Sequence, residues 1–225
     1  MDEKALYRQL SHLFRAHPWH GVDLGERAPE VVNAFVEIVP TDTVKYEIDT
    51  PTGLLRIDRP QKYSNQCPAL YGFLPQTYCG AEVGAFCGQQ TGRQGIAGDG
   101  DPLDVCIFTE RPISHGDILM RVVPIGGIRM IDSDQADDKI IAVLDEDPAY
   151  GAWRSVRECP TAVVDRLRHY FLTYKDLPAT SKRRVEITHV YDAEEAREVI
   201  ERSRADYRAS YGDIAEAFRT WTGRG

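Results

Sequence analysis

The stretch Gly98–Val105, "GDGDPLDV", sets Asp99, Asp101 and Asp104 close together, with Gly100 and Pro102 between them. Like charges this near repel, and each carboxylate resists leaving water. In an extended chain Asp99 and Asp101 share a face about 7 Å apart, and Asp104 has the opposite parity. Gly100 permits unusual dihedrals, while Pro102 fixes its own φ and biases Asp101 away from helix, so a bend can gather all three. A second run, "DSDQADDK", supplies Asp132, Asp134, Asp137, Asp138 and Lys139 immediately before the apolar "IIAVL". Two acidic loops, each fastened to an apolar strand, are expected to converge at one end of a barrel. Their carboxylate pKa values would rise unless cations neutralised them. An all-oxygen set without paired His or Cys favours Mg²⁺ or Mn²⁺ ahead of Ca²⁺. Solvated acidic turns with no ligand are the alternative at this stage. The spacing is not an EF-hand, which needs Gly at its sixth position and Glu at its twelfth.

The elements that must carry these loops follow from periodicity. "TVKYEID" alternates Val44, Tyr46 and Ile48 against Lys45, Glu47 and Asp49, "TPTG" reads as a turn, and "LLRID" returns, which together predict a hairpin. Arg59 shares strand parity with Leu55 and Ile57, which points it inward if the strand persists. Further strands are expected at "FVEIV", "DVCIF", "ILMRVVPI", "IRMI", "KIIAVL" and "RVEITHVY". Helices are expected at "KALYRQLSHLF", ended by Pro18, at "TAVVDRLRHYFLTY", and from Asp192 to Trp221, where Asp192 and Glu195 suggest a capping box. Glycines 80, 84, 88 and 92 have a GxxxG-like rhythm, but Glu82, Gln89 and Gln90 exclude a membrane packing face, and a glycine-rich surface loop is preferred over an ordered helix. Short strands followed by helices predict an α+β fold. Its core would be a small closed or highly curved antiparallel β-barrel, OB-like with about five strands, flanked by helices.

The bulk properties agree with an ordinary soluble globular protein. The chain has 225 residues and a net charge of −8, which argues against a nucleic-acid surface. No apolar run reaches the roughly 18 residues that cross a bilayer. The opening "MDEKALYRQL" is unlike a secretory signal, so a cytoplasmic location is expected. Five cysteines without CxxC spacing make disulfide frameworks and zinc ribbons poor readings.

At "GDGDPLDV" the sequence resembles the soluble, Mg²⁺-dependent inorganic pyrophosphatases of family I, whose signature is D-G-D-P-hydrophobic-D-hydrophobic. "VEIVP" with Glu37, "VKYEID" with Lys45 and Glu47, "IDRP" with Arg59 and "LYGF" with Tyr71 resemble the family's other motifs. So do "DSDQADDK" with Asp132, Asp137 and Lys139, and "TYKDL" with Tyr174 and Lys175. The similarity covers about residues 35–72 and 98–176. It departs at Cys67 and Leu70, where compact bacterial members often carry Tyr and Asn. The insertion at about 74–98 resembles one found in a branch of bacterial enzymes.

The resemblance implies hydrolysis of pyrophosphate to two orthophosphates by direct attack of a water activated by metal. Asp99, Asp104 and Asp137 would hold a pair of activating Mg²⁺ ions, with Mn²⁺ as a substitute. Asp132 would help to hold a further ion arriving with substrate, and Glu37 and Glu47 would act through water. Asp101 would be the general base. Lys45, Arg59, Lys139 and Lys175 would bind the phosphates, and Tyr71 and Tyr174 would donate hydrogen bonds. The implied assembly is a homo-oligomer. The chain is expected to form one domain over 1–225, with an N-terminal extension (about 1–33) and an inserted loop (about 74–98).

The competing readings are a Ca²⁺-stabilised, non-enzymatic binding module and an inactive family member. The first has no use for Arg59, Lys139 and Lys175 beside carboxylates, and the second would be expected to lack part of the signature. His17 and His20 in "HPWH" have no companion ligand and are expected in a turn at a helix end. Cys79 and Cys87 fall in the insertion, where metal binding or mutual oxidation is a minor alternative.

Overall fold

The computed structural model describes residues 15–175 and 185–212. The helix expected at 4–14 and the continuation of the last helix beyond 212 lie outside the described residues. The predicted hairpin is present as β2 (Val44–Ile48) and β3 (Leu55–Pro60). In its turn the Asp49 carbonyl accepts the N–H groups of Thr52 (3.1 Å) and Gly53 (2.8 Å), and Gly53 sits at φ +73°, where a side chain would be strained.

Strands β1 (Val32–Ile38), β4 (Leu70–Phe73), β6 (Asp104–Phe108), β9 (Lys139–Leu144) and β7 (Ile118–Asp132) pair in that order, and β7 also pairs with β1. Five strands thus form a ring, flanked by α1 (Ala81–Thr91), α2 (Thr161–Thr173) and α3 (Ala193–Tyr211). The ring is not purely antiparallel as expected, because β6 and β9 run parallel. From β6 the chain reverses into β7 and reverses again into β9, so β9 regains the direction of β6 and lies beside it.

The two segments expected at "ILMRVVPI" and "IRMI" are one strand of 15 residues, β7. Its register against β9 shifts between Pro124 and Gly126. Pro124 has no N–H to offer, and a bulge there bends the strand. Its first half pairs with β1, and its second half pairs with β10 (Val185–Asp192). Two short strands not expected from the sequence, β5 (Ala97–Gly98) and β8 (Gln135–Ala136), extend this edge. β4 was likewise not expected. Its Gly72 lies so close to β1 that a Cβ would stand 1.8 Å from the Phe35 carbonyl oxygen.

Strands buried on both faces read as continuous apolar runs. Val105 and Ile140 join one cluster with Val83, Phe86, Val199 and Ile200 under α1 and α3. Their neighbours Cys106 and Ile141 join a second cluster with Leu167 and Phe171 under α2. All five cysteines are buried and free. Among the described residues, no helix is long and apolar enough to cross a membrane.

The 74–98 segment corrects the surface-loop expectation: it contains α1, with Val83, Gly84, Phe86 and Cys87 buried. Glycine weakens helices in isolation. Here it permits close packing, since a Cβ on Gly84 would lie 2.8 Å from Gly98 N and from the Ile96 carbonyl oxygen. The capping box expected at α3 is also different. Asp192 accepts the Ala193 N–H (2.9 Å), while Glu195 accepts a hydrogen bond from Arg129 Nη2 (2.7 Å).

Candidate active site

The hairpin, the end of β1, the two acidic loops and the end of α2 surround one cavity of about 620 Å³. Glu37, Lys45, Glu47, Arg59, Tyr71, Asp99, Asp101, Asp104, Asp132, Asp137, Lys139, Tyr174 and Lys175 all line it. Asp134 does not, and Asp138 points away from it towards Arg129.

The signature loop is held by the segment that precedes α1. Cys79 N donates to the Asp101 carbonyl (2.9 Å), Gly100 N donates to the Cys79 carbonyl (3.0 Å), and Leu103 N donates to Thr77 Oγ1 (3.0 Å). Gly100 takes φ +83°, and Asp101 N donates to Asp99 Oδ1 (3.0 Å). This is an Asx-type turn, and it makes the bend that the sequence required. The second acidic run turns through Ser133 and Asp134, both at positive φ, and Asp137 N returns to the Met130 carbonyl (3.0 Å).

The parallel β6–β9 pairing sets Asp104 opposite Lys139, and the Lys139 ammonium donates to both Asp104 and Asp137. Lys175 donates to Asp132. Glu37 Oε1 accepts the Ile48 N–H (2.6 Å), which ties β1 to the hairpin. Lys45 Nζ lies 2.9 Å from Glu47 and 3.1 Å from Asp58.

Arg59 reaches the cavity, but not through the parity predicted for it. The β2–β3 register places Lys45 opposite Arg59 and Tyr46 opposite Ile57, so Asp58 is an extra residue in β3. Ile57 is 63% exposed, and the bulge returns Arg59 to the face of Arg56. Arg56 also lines the cavity and donates to Glu47 Oε1 (2.7 Å), and sequence reasoning missed it. Its alternation with Asp58 and its position opposite Glu47 in the hairpin were the available signals.

The acids outweigh the cations here. Glu37, Glu47, Asp49, Asp99, Asp101, Asp104, Asp132 and Asp137 face Lys45, Arg56, Arg59, Lys139 and Lys175. Burial pushes the Glu37 carboxyl up to about 8, against the Ile48 N–H. Burial and then the Asp137 charge push Asp99 up to about 9. Asp101 is raised by burial and by Asp104 and Asp137. Asp137 is also raised, since it is buried and shares one lysine with Asp104. At Asp132 burial is outweighed by Lys175, and at Glu47 by Lys45 and Arg56, so both carboxyls sit below their ordinary values. Burial would lower Lys139, but Asp104 and Asp137 hold it well above the usual lysine range. Burial raises Tyr71, which keeps it a hydrogen-bond donor.

Among the described residues, no three His, Cys, Asp or Glu side chains already enclose one cation position. The lysines stand between the acids instead. The donor set is nonetheless all oxygen, carries excess negative charge and fits a hard divalent ion. His17 and His20 form a turn, with Trp19 N (3.2 Å) and His20 N (3.3 Å) near His17 Nδ1. Cys67 and Leu70, where the sequence departs from compact relatives, are buried and do not line the cavity.

The model of the inorganic pyrophosphatase family matches residues 34–208. This chain belongs to that family. An inorganic pyrophosphatase from Chlamydia trachomatis is 50% identical over 196 residues, covering 85% of this chain and 94% of the relative. A soluble inorganic pyrophosphatase from Oryza sativa is 34% identical over 209 residues, covering 93% and 87%. The crystal structure of inorganic pyrophosphatase from Thermus thermophilus superposes with a TM-score of 0.70 at 28% identity, covering 86% of this chain and 99% of that one. For an inorganic pyrophosphatase the balance of charge in the cavity has a chemical reading: lysines and arginines suit phosphate oxygens, and surplus carboxylates suit cations.

Proposed function

We propose that this chain hydrolyses inorganic pyrophosphate to two orthophosphates in a Mg²⁺-dependent reaction, with Mn²⁺ able to substitute. The observation that carries the reading is the single cavity in which all thirteen candidate residues meet. The family membership and the names of the relatives support it.

Asp99, Asp104, Asp132 and Asp137 would hold the metal ions, with Glu37 and Glu47 acting through water. When bound, such ions neutralise phosphate charge and lower the pKa of water. Lys45, Arg59, Lys139 and Lys175 hold the phosphate oxygens, and Arg59 is suited to a two-point contact. Tyr71 and Tyr174 donate hydrogen bonds to the substrate. Asp101 takes the proton of the attacking water as its oxygen bonds to one phosphorus and the bridging P–O bond breaks. The second phosphate leaves with that electron pair, stabilised by the same cations, and no phosphoenzyme forms.

The same reading takes 1–225 as one domain and places it in the cytoplasm as a homo-oligomer. Free cysteines support a reducing compartment. Phosphate release from pyrophosphate is the test, with Mg²⁺, with Ca²⁺ and with chelator. Release with Mg²⁺ alone is expected, and absence of release with any divalent ion would sink the reading.

A further inference from the structure

Behind the cavity lies a second cluster of charges that the proposed reaction does not use. Asp138 falls between two cavity residues, Asp137 and Lys139, and its side chain leaves on the opposite side of the chain, towards Arg129. Arg129 on β7 stands directly across from it. Ile128 pairs with Lys139, and the Met130 carbonyl accepts the Asp137 N–H, so residue 129 lies between the two backbone anchors. Arg129 Nη1 is 2.8 Å from Asp138 Oδ2, and both side chains are 0% exposed. Tyr191 on β10 donates its hydroxyl to the same Oδ2 (3.0 Å). Glu195 on α3 accepts from Arg129 Nη2 (2.7 Å). The guanidinium carbon lies 5.1 Å from the ring centre of Phe86 on α1 and 5.0 Å from that of Tyr191.

A buried ion pair is weak evidence for stability, because two apolar side chains of similar volume hold such a place as well or better. What it supplies is fixed placement, in two directions at once. It locks the backbone of 137–139 against β7, and it links that short segment to α1 and α3. Ala136 and Ile140 flank this segment in the apolar cluster under α1 and α3, and a side chain held from behind loses less order when it takes a ligand.

We propose that Arg129 and Asp138 are positioning residues that fix Asp137 and Lys139 for metal and phosphate, and that α1 and α3 act on the site through this pair. This rests on the function proposed above. It gives the inserted segment a role as the outer brace of the second acidic loop.

The test is the charge-free double variant Arg129→Met/Asp138→Leu, compared with wild type and Arg129→Lys. Thermal midpoint, Mg²⁺ affinity of the substrate-free protein by calorimetry, and kcat and KM for pyrophosphate are measured together. The double variant is expected to stay folded at the assay temperature while Mg²⁺ affinity weakens by about tenfold and kcat falls more than KM changes. Arg129→Lys should recover part of the affinity. A folded double variant with wild-type Mg²⁺ affinity and kcat overturns the proposal. If the double variant does not fold, Tyr191→Phe removes one bond to Asp138 without touching a charge. Mg²⁺ binding weakened by about threefold in the folded variant then supports the proposal, and unchanged binding overturns it. An inert wild type that binds no Mg²⁺ overturns the functional reading itself, whereas an active wild type matched by its variants overturns only the positioning pair.

Discussion

Lys139 stands opposite Asp104 across the parallel β6–β9 pair, and its ammonium also reaches Asp137. One buried cation therefore serves two carboxylates. Replacing it by a neutral side chain leaves both without a counter-ion, at a cost of about 3–5 kcal/mol for an uncompensated buried charge. Lys139→Met is expected to lower the thermal midpoint strongly in chelator and much less in millimolar Mg²⁺. Paired thermal scans with and without the ion check this, and an equal loss in both buffers would count against these aspartates as metal holders.

Asp101 is partly desolvated by the cavity yet still open to solvent, and among the described residues its hydrogen bonds run through its backbone, to Cys79 and to the Asp99 side chain. Asp101→Asn should leave unfolding free energy within about 0.5 kcal/mol of wild type. Phosphate release should fall by about 10²-fold or more if the carboxylate takes the proton. Urea unfolding beside an initial-rate assay separates the two effects, and full activity in the variant would remove Asp101 as the base.

Asp206 on α3 receives the start of α1. Its carboxylate accepts the N–H groups of Gly80 (2.9 Å), Glu82 (2.9 Å) and Val83 (3.0 Å) while almost fully buried. Asp206→Ala strands three donors, which costs about 2–3 kcal/mol. Because Cys79 grips the Asp101 backbone one residue earlier, activity should fall along with stability. Urea midpoints and turnover on the same samples test that coupling.

Asp147 gives a pH dependence whose sign can be worked out. Burial raises its pKa, but the N–H groups of Glu110, Tyr150 and Ala149 outweigh that and hold the carboxyl below its ordinary value. The folded protein then binds fewer protons at this site than the unfolded chain does. The stabilisation is therefore present above the ordinary aspartate value and is lost as pH falls through the lower, folded value. Asp147→Asn should be less stable than wild type at pH 7, with the gap narrowing as the medium is acidified towards about pH 3. Denaturant unfolding across that range measures it, and a gap independent of pH would refute the assignment.

Much of this was legible in the sequence because its physics is local. The aspartates around Gly100 and Pro102 announce a bend, and the alternation of Lys45 and Glu47 announces a strand face. What stayed hidden depends on partners far along the chain. The α1 glycines look like a loop until Gly98 supplies the backbone they pack against. Arg59 reaches the cavity because the Asp58 bulge breaks the simple alternation, and the same bulge conceals Arg56. Glu195 reads as a capping residue until Arg129, distant in sequence, claims it. The parallel pairing of β6 with β9 follows from two chain reversals that no window of residues contains.

The pairing of β1 with β7 also bears on how the protein is made. Val32–Val36 must wait for Ile118–Val122 before its second edge is satisfied. During synthesis β1 and β4 leave the ribosome long before that partner does, so one edge of a strongly apolar strand stays open through most of elongation. Such an edge is where nascent chains pair wrongly with one another. Slow translation across residues 40–117 would lengthen that exposure, and a chaperone able to cover β1 would shorten it.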